Sequence, residues 1–252
     1  MQKIRLLSYN IHKGFTPGNT DFILNQIRDA IREVNADIVC LQEVIGEHSQ
    51  HQDTHDDWHP GGQFEFLADS IWPHYAYGKN AIYQHGHHGN AILSQYPFSQ
   101  WQNIDITRWK FSQRGILHGR IGEHLHVLCT HFGFLPLEQH YQLQYLKKYV
   151  TDNIPADTAL IIAGDFNDWH QQIHRTLTRD LKLSEVSCSD GGSPSATFPA
   201  TWPCLPMDRI YFRNLTLHSA SILQHRHWQQ LSDHCPVIAE FSVYLPDPGL
   251  AA

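Results

Sequence analysis

The chain has 252 residues, with 25 acidic and 18 basic side chains and a formal charge of −7. Hydrophobic residues make up 41% and charged residues only 17%, which is enough apolar material for a large core and too little charge for a disordered chain. No run approaches the ~20 apolar residues of a membrane-spanning helix. The negative balance argues against bulk electrostatic capture of nucleic acid but not against an enzyme that touches a few phosphates locally.

The opening MQKIRLLSYN has no apolar stretch ahead of a small-residue cleavage site, so nothing in it suggests secretion. The five cysteines (Cys40, Cys129, Cys188, Cys204 and Cys235) are odd in number, and no two are spaced like a zinc knuckle or a redox pair. Cys40 and Cys129 lie inside apolar runs, as buried free thiols do. A reducing, cytoplasmic setting is the expectation.

Residues 4–9 form a short apolar run fit for a strand, and Gly14, Pro17 and Gly18 mark the loop that follows. Thr20 or Asp21 can cap a helix whose Ile23, Ile27, Ile31 and Val34 recur at spacings of three and four. Residues 37–43 (DIVCLQE) have the continuous apolar pattern of a strand covered on both faces, with its polar end at a functional rim. Residues 46–63 read as a polar, histidine-rich loop on that rim. Short strands around 75–77, 81–83, 91–94, 115–121 and 125–130, separated by turn residues, predict a mainly antiparallel middle. A helix is predicted over 137–150, with Leu137, Tyr141, Tyr145 and Tyr149 on one side, then a strand over 159–163. A Ser/Gly/Pro-rich loop over 187–206 precedes strands near 209–212, 216–219 and 237–243. No repeat or compositional break marks a linker. Residues 1–252 therefore read as one α/β domain of two packed sheets with outer helices.

Isolated polar residues fall at the tips of these apolar runs. Asn10 ends the first strand, Glu43 the second and His131 the run VLCTH; Asp165 and Asn167 follow ALIIAG, Asp208 opens DRIYF, and Asp233 and His234 precede CPVIAEF. One such residue is usually a turn former or the place where a strand meets water. The whole set at strand tips is not explained by turn chemistry, and in a layered α/β protein such tips converge on one cleft.

In this order, SYNIHKG, IVCLQEV, HGNAILSQYP, CTHFG, AGDFND, MDRIYF and SDHCPV resemble the endonuclease/exonuclease/phosphatase superfamily. That family of metal-dependent phosphodiesterases includes pancreatic-type deoxyribonuclease, abasic-site endonucleases, neutral sphingomyelinases and inositol polyphosphate 5-phosphatases. The combination of LQE, GDFN and SDH is specific where each alone is weak. HGHHGNAILS and GDFNDW look most like a compact bacterial branch.

The resemblance implies a four-layered α/β sandwich with two central mixed β-sheets flanked by helices. It implies that Glu43 is the main metal carboxylate, with Asn10 beside it and Asp233 assisting through water. It casts His234 as the contact to the scissile phosphate, Asp208 as its acidic partner, and Asp165 with Asn167 as the pair that orients the nucleophile and holds a phosphate oxygen. His131 matches a second histidine found in the deoxyribonuclease, sphingomyelinase and 5-phosphatase branches and absent from the abasic-site branch, which tilts the reading away from a repair endonuclease. The chemistry agrees. Oxygen ligands suit Mg²⁺, with Mn²⁺ as a substitute, better than zinc, and a histidine backed by a carboxylate stays cationic to higher pH. Which residue is base and which is acid stays open.

Asn90 is expected beside the phosphate, and Arg114 is a second phosphate clamp or else a surface charge. Tyr77, Lys79, Asn80 and Tyr83 line the leaving-group side or form the wet face of a strand. Asp168 and Trp169 are expected to start a helix and pack against the core rather than touch substrate. His48, His51, His55 and His59 share a loop with Asp53, Asp56 and Asp57, which reads as solvated rather than as a transition-metal site. The expected function is Mg²⁺-dependent hydrolysis of a phosphodiester, nuclease-like or on a phospholipid headgroup, by a monomer. The alternatives are a phosphomonoesterase on a small molecule such as an inositol phosphate and a non-catalytic histidine-rich metal-binding protein. A lipid enzyme should show an exposed apolar lip, for which Phe198 and Trp202 in TFPATWPCLP are candidates.

Overall fold

The computed structural model describes residues 2–50, 58–59, 61–188 and 192–244. Along the chain run β1 (Gln2–Asn10), α1 (Leu24–Val34), β2 (Ile38–His48), α2 (Gln63–Ala68), β3 (His74–Tyr83), β4 (Gly86–Ser94), β5 (Phe98–Asp105), β6 (Gly115–Ile121) and β7 (Leu125–His131). Then come α3 (Pro136–Asn153), β8 (Ala159–Asp165), α4 (Gln172–Asp180), β9 (Ser184–Glu185), β10 (Asp208–Arg213), β11 (Thr216–Ile222), α5 (Trp228–Leu231) and β12 (Val237–Val243).

The strands form two six-stranded mixed sheets, ordered β11-β12-β1-β2-β4-β3 and β5-β6-β7-β8-β10-β9. Each sheet holds one parallel pair, β1 with β2 and β7 with β8, joined by a crossover helix, α1 or α3. Leu6, Cys40, Ile92, Leu117, Val127, Cys129, Ile161, Ile210 and Phe241 fill the layer between the sheets. The apolar stripe of α1 (Leu24, Ile27, Ile31, Val34) covers the outside of the first sheet with Trp72 and Trp228. Leu143, Leu146 and Val150 of α3 and Ile173 and Leu177 of α4 cover the second. Helix, sheet, sheet, helix is the expected four-layered α/β sandwich. Because β1, β2, β7 and β8 are buried on both faces, their sequences are near-continuous apolar runs, as parallel strands require.

Several elements differ from the sequence reading. β2 does not stop at Glu43. Its ladder with β4 shifts register between Leu41 and Val44 and then runs on to His48, so the predicted loop begins later; His51, Asp53, His55, Asp56 and Asp57 lie outside the described residues. The two strands predicted around 75–77 and 81–83 are one strand, β3, with an irregularity after Lys79. β5 escaped notice because FSQWQNID is an edge strand exposed along most of its length. The side of α3 bearing Leu137, Tyr141 and Tyr145 faces outward. The helix packs instead through the 143/146/150 stripe, while Glu138 and Gln142 are buried at its first turns and bond each other.

Asp168 is buried four residues ahead of α4, whose first residue is Gln172, and Trp169, expected to pack on the core, is exposed. The Asp168 carboxylate accepts the backbone N–H groups of Gln172 (2.8 Å) and His174 (3.0 Å). It is also locked to Arg209, which is fully buried and donates Nη1 to the carboxylate (2.8 Å) and Nη2 to the Asp168 carbonyl (2.6 Å). Removing one partner leaves the other charge buried and uncompensated. Asp168→Ala therefore lowers folding stability by about 3–5 kcal/mol, read by urea unfolding; a cost under about 1 kcal/mol would contradict a structural pair.

Beneath the last turns of α3, His118 Nδ1 meets the Tyr149 hydroxyl (2.7 Å) and His118 Nε2 meets His126 Nδ1 (2.9 Å), and Gln102 donates to the same hydroxyl. Burial, then the neighbouring histidine and Arg120, push His118 down to about 4; burial, then Arg120 and Arg213, do the same for His126. A histidine with a depressed folded pKa binds its proton more readily when unfolded. Stability is therefore complete above pH 6.5 and is lost as pH falls toward 4, by about 3 kcal/mol for the first histidine to charge. Unfolding free energy measured across that window should slope less steeply in His126→Gln than in the wild type.

Candidate active site

The carboxyl ends of the two parallel pairs meet at one rim. In-register pairing sets His131 beside Asp165, and antiparallel β10 sets Asp208 on the other side of Asp165. Gly164, at φ 149°, lets β8 approach β7 there, because a Cβ at that position would run into the Thr130 carbonyl. The Asp165 carboxylate is buried at the hub. Its Oδ2 accepts from Asn10 Nδ2 (3.1 Å) and lies 3.5 Å from His131 Nε2 and 3.7 Å from His234 Nε2. Its Oδ1 accepts the Asn167 N–H (3.0 Å), with Asn167 at φ 48° and its side chain donating to the Phe132 carbonyl (2.9 Å).

His234 is fixed from behind. Its Nδ1 meets Asp208 Oδ2 (2.8 Å), and the same oxygen accepts the Thr197 hydroxyl (2.7 Å). Ser232 anchors the loop by donating to the Asn10 carbonyl (2.7 Å) and accepting the His234 N–H (3.2 Å). The Phe198 ring packs 4.9 Å from the His234 ring. Ligand atoms of Asp165, Asp208 and His234 lie within 4.8 Å of one another. His234 Nδ1 and Asp208 Oδ2 already pair with each other, while Asp208 Oδ1 is buried with no hydrogen bond.

Glu43 occupies the register shift in β2 with φ 58°, backbone strain of the kind bulges concentrate at functional sites. Its Oε2 is buried and takes part in no hydrogen bond, with Lys13 Nζ 3.3 Å away. Asn10 Oδ1 accepts only the His12 N–H (3.1 Å), and Asp233 Oδ1 lies 3.1 Å from His12 Nδ1. The oxygen donors of Asn10, Glu43 and Asp233, one of them a buried carboxylate oxygen with no hydrogen bond, fit a hard divalent cation.

The site is strongly polarised. Burial alone would raise Glu43, but Lys13 and then His131, His88 and His12 outweigh it and hold its pKa at about 2. Burial pushes Asp165 up to about 6, against the pull of His234. Burial opposes charge on His234, yet Asp208 and Asp165 prevail and raise it to about 10. Burial and then Arg114 push His131 well below its usual range, and burial brings His88 to about 4. His234 is thus cationic and His131 neutral at pH 7.

Asn10, Glu43, His131, Asp165, Asn167, Asp208, Asp233 and His234 all reach this rim. Arg114 stands close enough to depress His131 and His88. Asn90 spends its amide donors on the carbonyls of Gly115 (3.0 Å) and Cys129 (3.3 Å), tying the sheets together, and can offer a phosphate no N–H in this arrangement. The sequence reading missed His12 and Lys13, held in left-handed conformations in the turn after β1, and the supports Thr197 and Ser232. The adjacent basic pair directly behind the Asn10 strand tip was the available signal for the first two.

The chain matches the profile of the Endonuclease/Exonuclease/phosphatase family over residues 7–234. It belongs to that family. A relative in Escherichia coli K12, the uncharacterized protein YbhP, is 43% identical over 241 residues, covering 94% of this chain and 95% of YbhP. The endonuclease/exonuclease/phosphatase structure from Beutenbergia cavernae superposes with a TM-score of 0.78 at 18% identity, over 96% of this chain and 72% of that one. The human nocturnin catalytic domain, determined with bound sulfate, gives 0.68 at 19% identity over 95% and 93%. These two share the fold. As a family member the chain is a metal-dependent phosphoester hydrolase.

Proposed function

We propose that residues 1–252 act as one catalytic domain that hydrolyses phosphodiesters with Mg²⁺, Mn²⁺ substituting, as a cytoplasmic monomer. The observation that carries this reading is the buried Asp165 carboxylate within 3.7 Å of both His131 and His234, across the rim from the Glu43 oxygen that no hydrogen bond occupies. Asn10, Glu43 and Asp233 would hold the ion. When bound, it would neutralise charge on the phosphoryl and leaving oxygens. Asp165, kept in place by Asn10 and the Asn167 N–H, orients the attacking water and accepts its proton. His234, kept cationic by Asp208, holds a phosphoryl oxygen as negative charge develops. Neutral His131 and the Asn167 side of the loop face the same oxygens, and Arg114 adds a fixed positive charge. The formal charge of −7 disfavours long duplex nucleic acid as substrate.

The test is hydrolysis of bis(p-nitrophenyl) phosphate and p-nitrophenyl phosphate with Mg²⁺ or with EDTA. Faster diester turnover, lost in EDTA, is expected. A preference for the monoester, or full activity in EDTA, would refute the proposal.

A further inference from the structure

Among the described residues, the large apolar side chains left in water are unevenly placed. Phe111, Phe134, Leu135, Leu137, Tyr141, Tyr145, Trp169 and Trp202 lie on the loops and helix at the rim-side strand ends of the second sheet, Ile82 and Tyr83 end β3 on the first sheet's side of that rim, and Tyr75, Trp101 and Tyr244 lie elsewhere. The first group rides on the segments that leave the catalytic rim of the second sheet. Residues 106–114 lead to Arg114; residues 132–137 follow His131; residues 166–171 follow Asp165; residues 197–205 carry Phe198, which packs on His234. The first three segments are joined through α3. Trp109 stacks on Phe111 (5.7 Å), Arg108 lies over the Tyr141 ring (5.3 Å), and Gln139 donates to both the Gly133 and Asn167 carbonyls.

The charge on these segments is as uneven as the hydrophobicity. Within a chain of net charge −7, the exposed or half-exposed ionisable side chains on and beside these segments are Arg108, Lys110, Arg114, His140 and His170 against the one carboxylate of Asp105, while the acidic Glu138 and Asp168 are buried. Loop tips with side chains as exposed as Phe111 (78%), Leu137 (76%) and Trp202 (79%) form no groove for a helix or strand. The aliphatic Leu135 and Leu137 offer no face for stacking bases. Aromatic and aliphatic tips in which cations outnumber exposed carboxylates match the boundary between acyl chains and anionic headgroups.

We propose that this apolar belt docks the catalytic rim onto an anionic lipid bilayer, so that the phosphodiester is met at the membrane surface. Its bearing on substrate rests on the reading above; the docking itself does not.

The test is co-sedimentation with vesicles of phosphatidylcholine alone or mixed equally with phosphatidylglycerol, using the wild type, Glu43→Gln, and the triple variant Phe111→Ser/Leu137→Ser/Trp202→Ser. The wild type and Glu43→Gln should bind the anionic vesicles alike, about tenfold or more better than the triple variant and better than they bind neutral vesicles. The triple variant should keep wild-type turnover of soluble bis(p-nitrophenyl) phosphate, which shows it to be folded. Equal sedimentation of wild type and triple variant, or none of either, would overturn the proposal. So would a wild-type dimer in light scattering that the triple substitution abolishes, or a single-stranded oligonucleotide that binds through these side chains where vesicles do not. Loss of diester hydrolysis in the wild type with vesicle binding intact would overturn the catalytic reading alone.

Discussion

His234→Ala lowers turnover of bis(p-nitrophenyl) phosphate about 10⁴-fold. The imidazole is the cation that Asp208 and Asp165 hold charged at neutral pH, with its pKa raised to about 10, and alanine leaves nothing to meet the developing phosphoryl charge. Asp208 keeps the Thr197 hydroxyl, 2.7 Å away, so the shell behind the histidine survives. The loss of rate should fall on kcat with little change in KM, while the Asp208 carboxylate, left buried without its cation, lowers the unfolding midpoint as well. Asp208→Asn, which removes the charge but not the shape, should lose less than His234→Ala. A His234→Ala enzyme within tenfold of the wild type would remove His234 from the chemistry.

Glu43→Gln reduces Mg²⁺-dependent turnover about 10³-fold and raises the Mg²⁺ concentration needed for half-maximal rate. The amide is nearly isosteric with the carboxylate but brings no negative charge. It ends the ion pair with Lys13 at 3.3 Å while leaving the β2 register shift intact. Calorimetry should show weaker Mg²⁺ binding with an unchanged fold by circular dichroism. Unaltered Mg²⁺ affinity in this variant would exclude Glu43 as the principal ligand.

Much of the architecture was readable because buried parallel strands announce themselves. DIVCLQE and ALIIAGD are apolar for as long as they are covered on both faces, and α1 shows its stripe at spacings of three and four. β5 and the true face of α3 were not readable. An edge strand with polar residues on both sides has no periodic signal, and two overlapping apolar stripes on one helix are told apart only by what lies beneath them. At the site, the side chains at strand tips were legible as isolated polar residues after apolar runs. His12 and Lys13 were not, because their approach to Asp233 and Glu43 depends on two consecutive left-handed residues in a three-residue turn.

Local chemistry alone determined the layer class, the family and the residue types available for holding a cation and cleaving a phosphate ester, because apolar run length and polar strand ends are properties of short segments. Three-dimensional packing decided the rest. It carried β2 past Glu43 and left that carboxylate at a bend inside the strand, gave Asp168 to Arg209 rather than to the cleft, spent the Asn90 amide on tying the sheets together, and turned the Leu137 and Tyr141 side of α3 to water. Each outcome depends on which distant segment occupies the adjoining space, and no window of sequence contains that information.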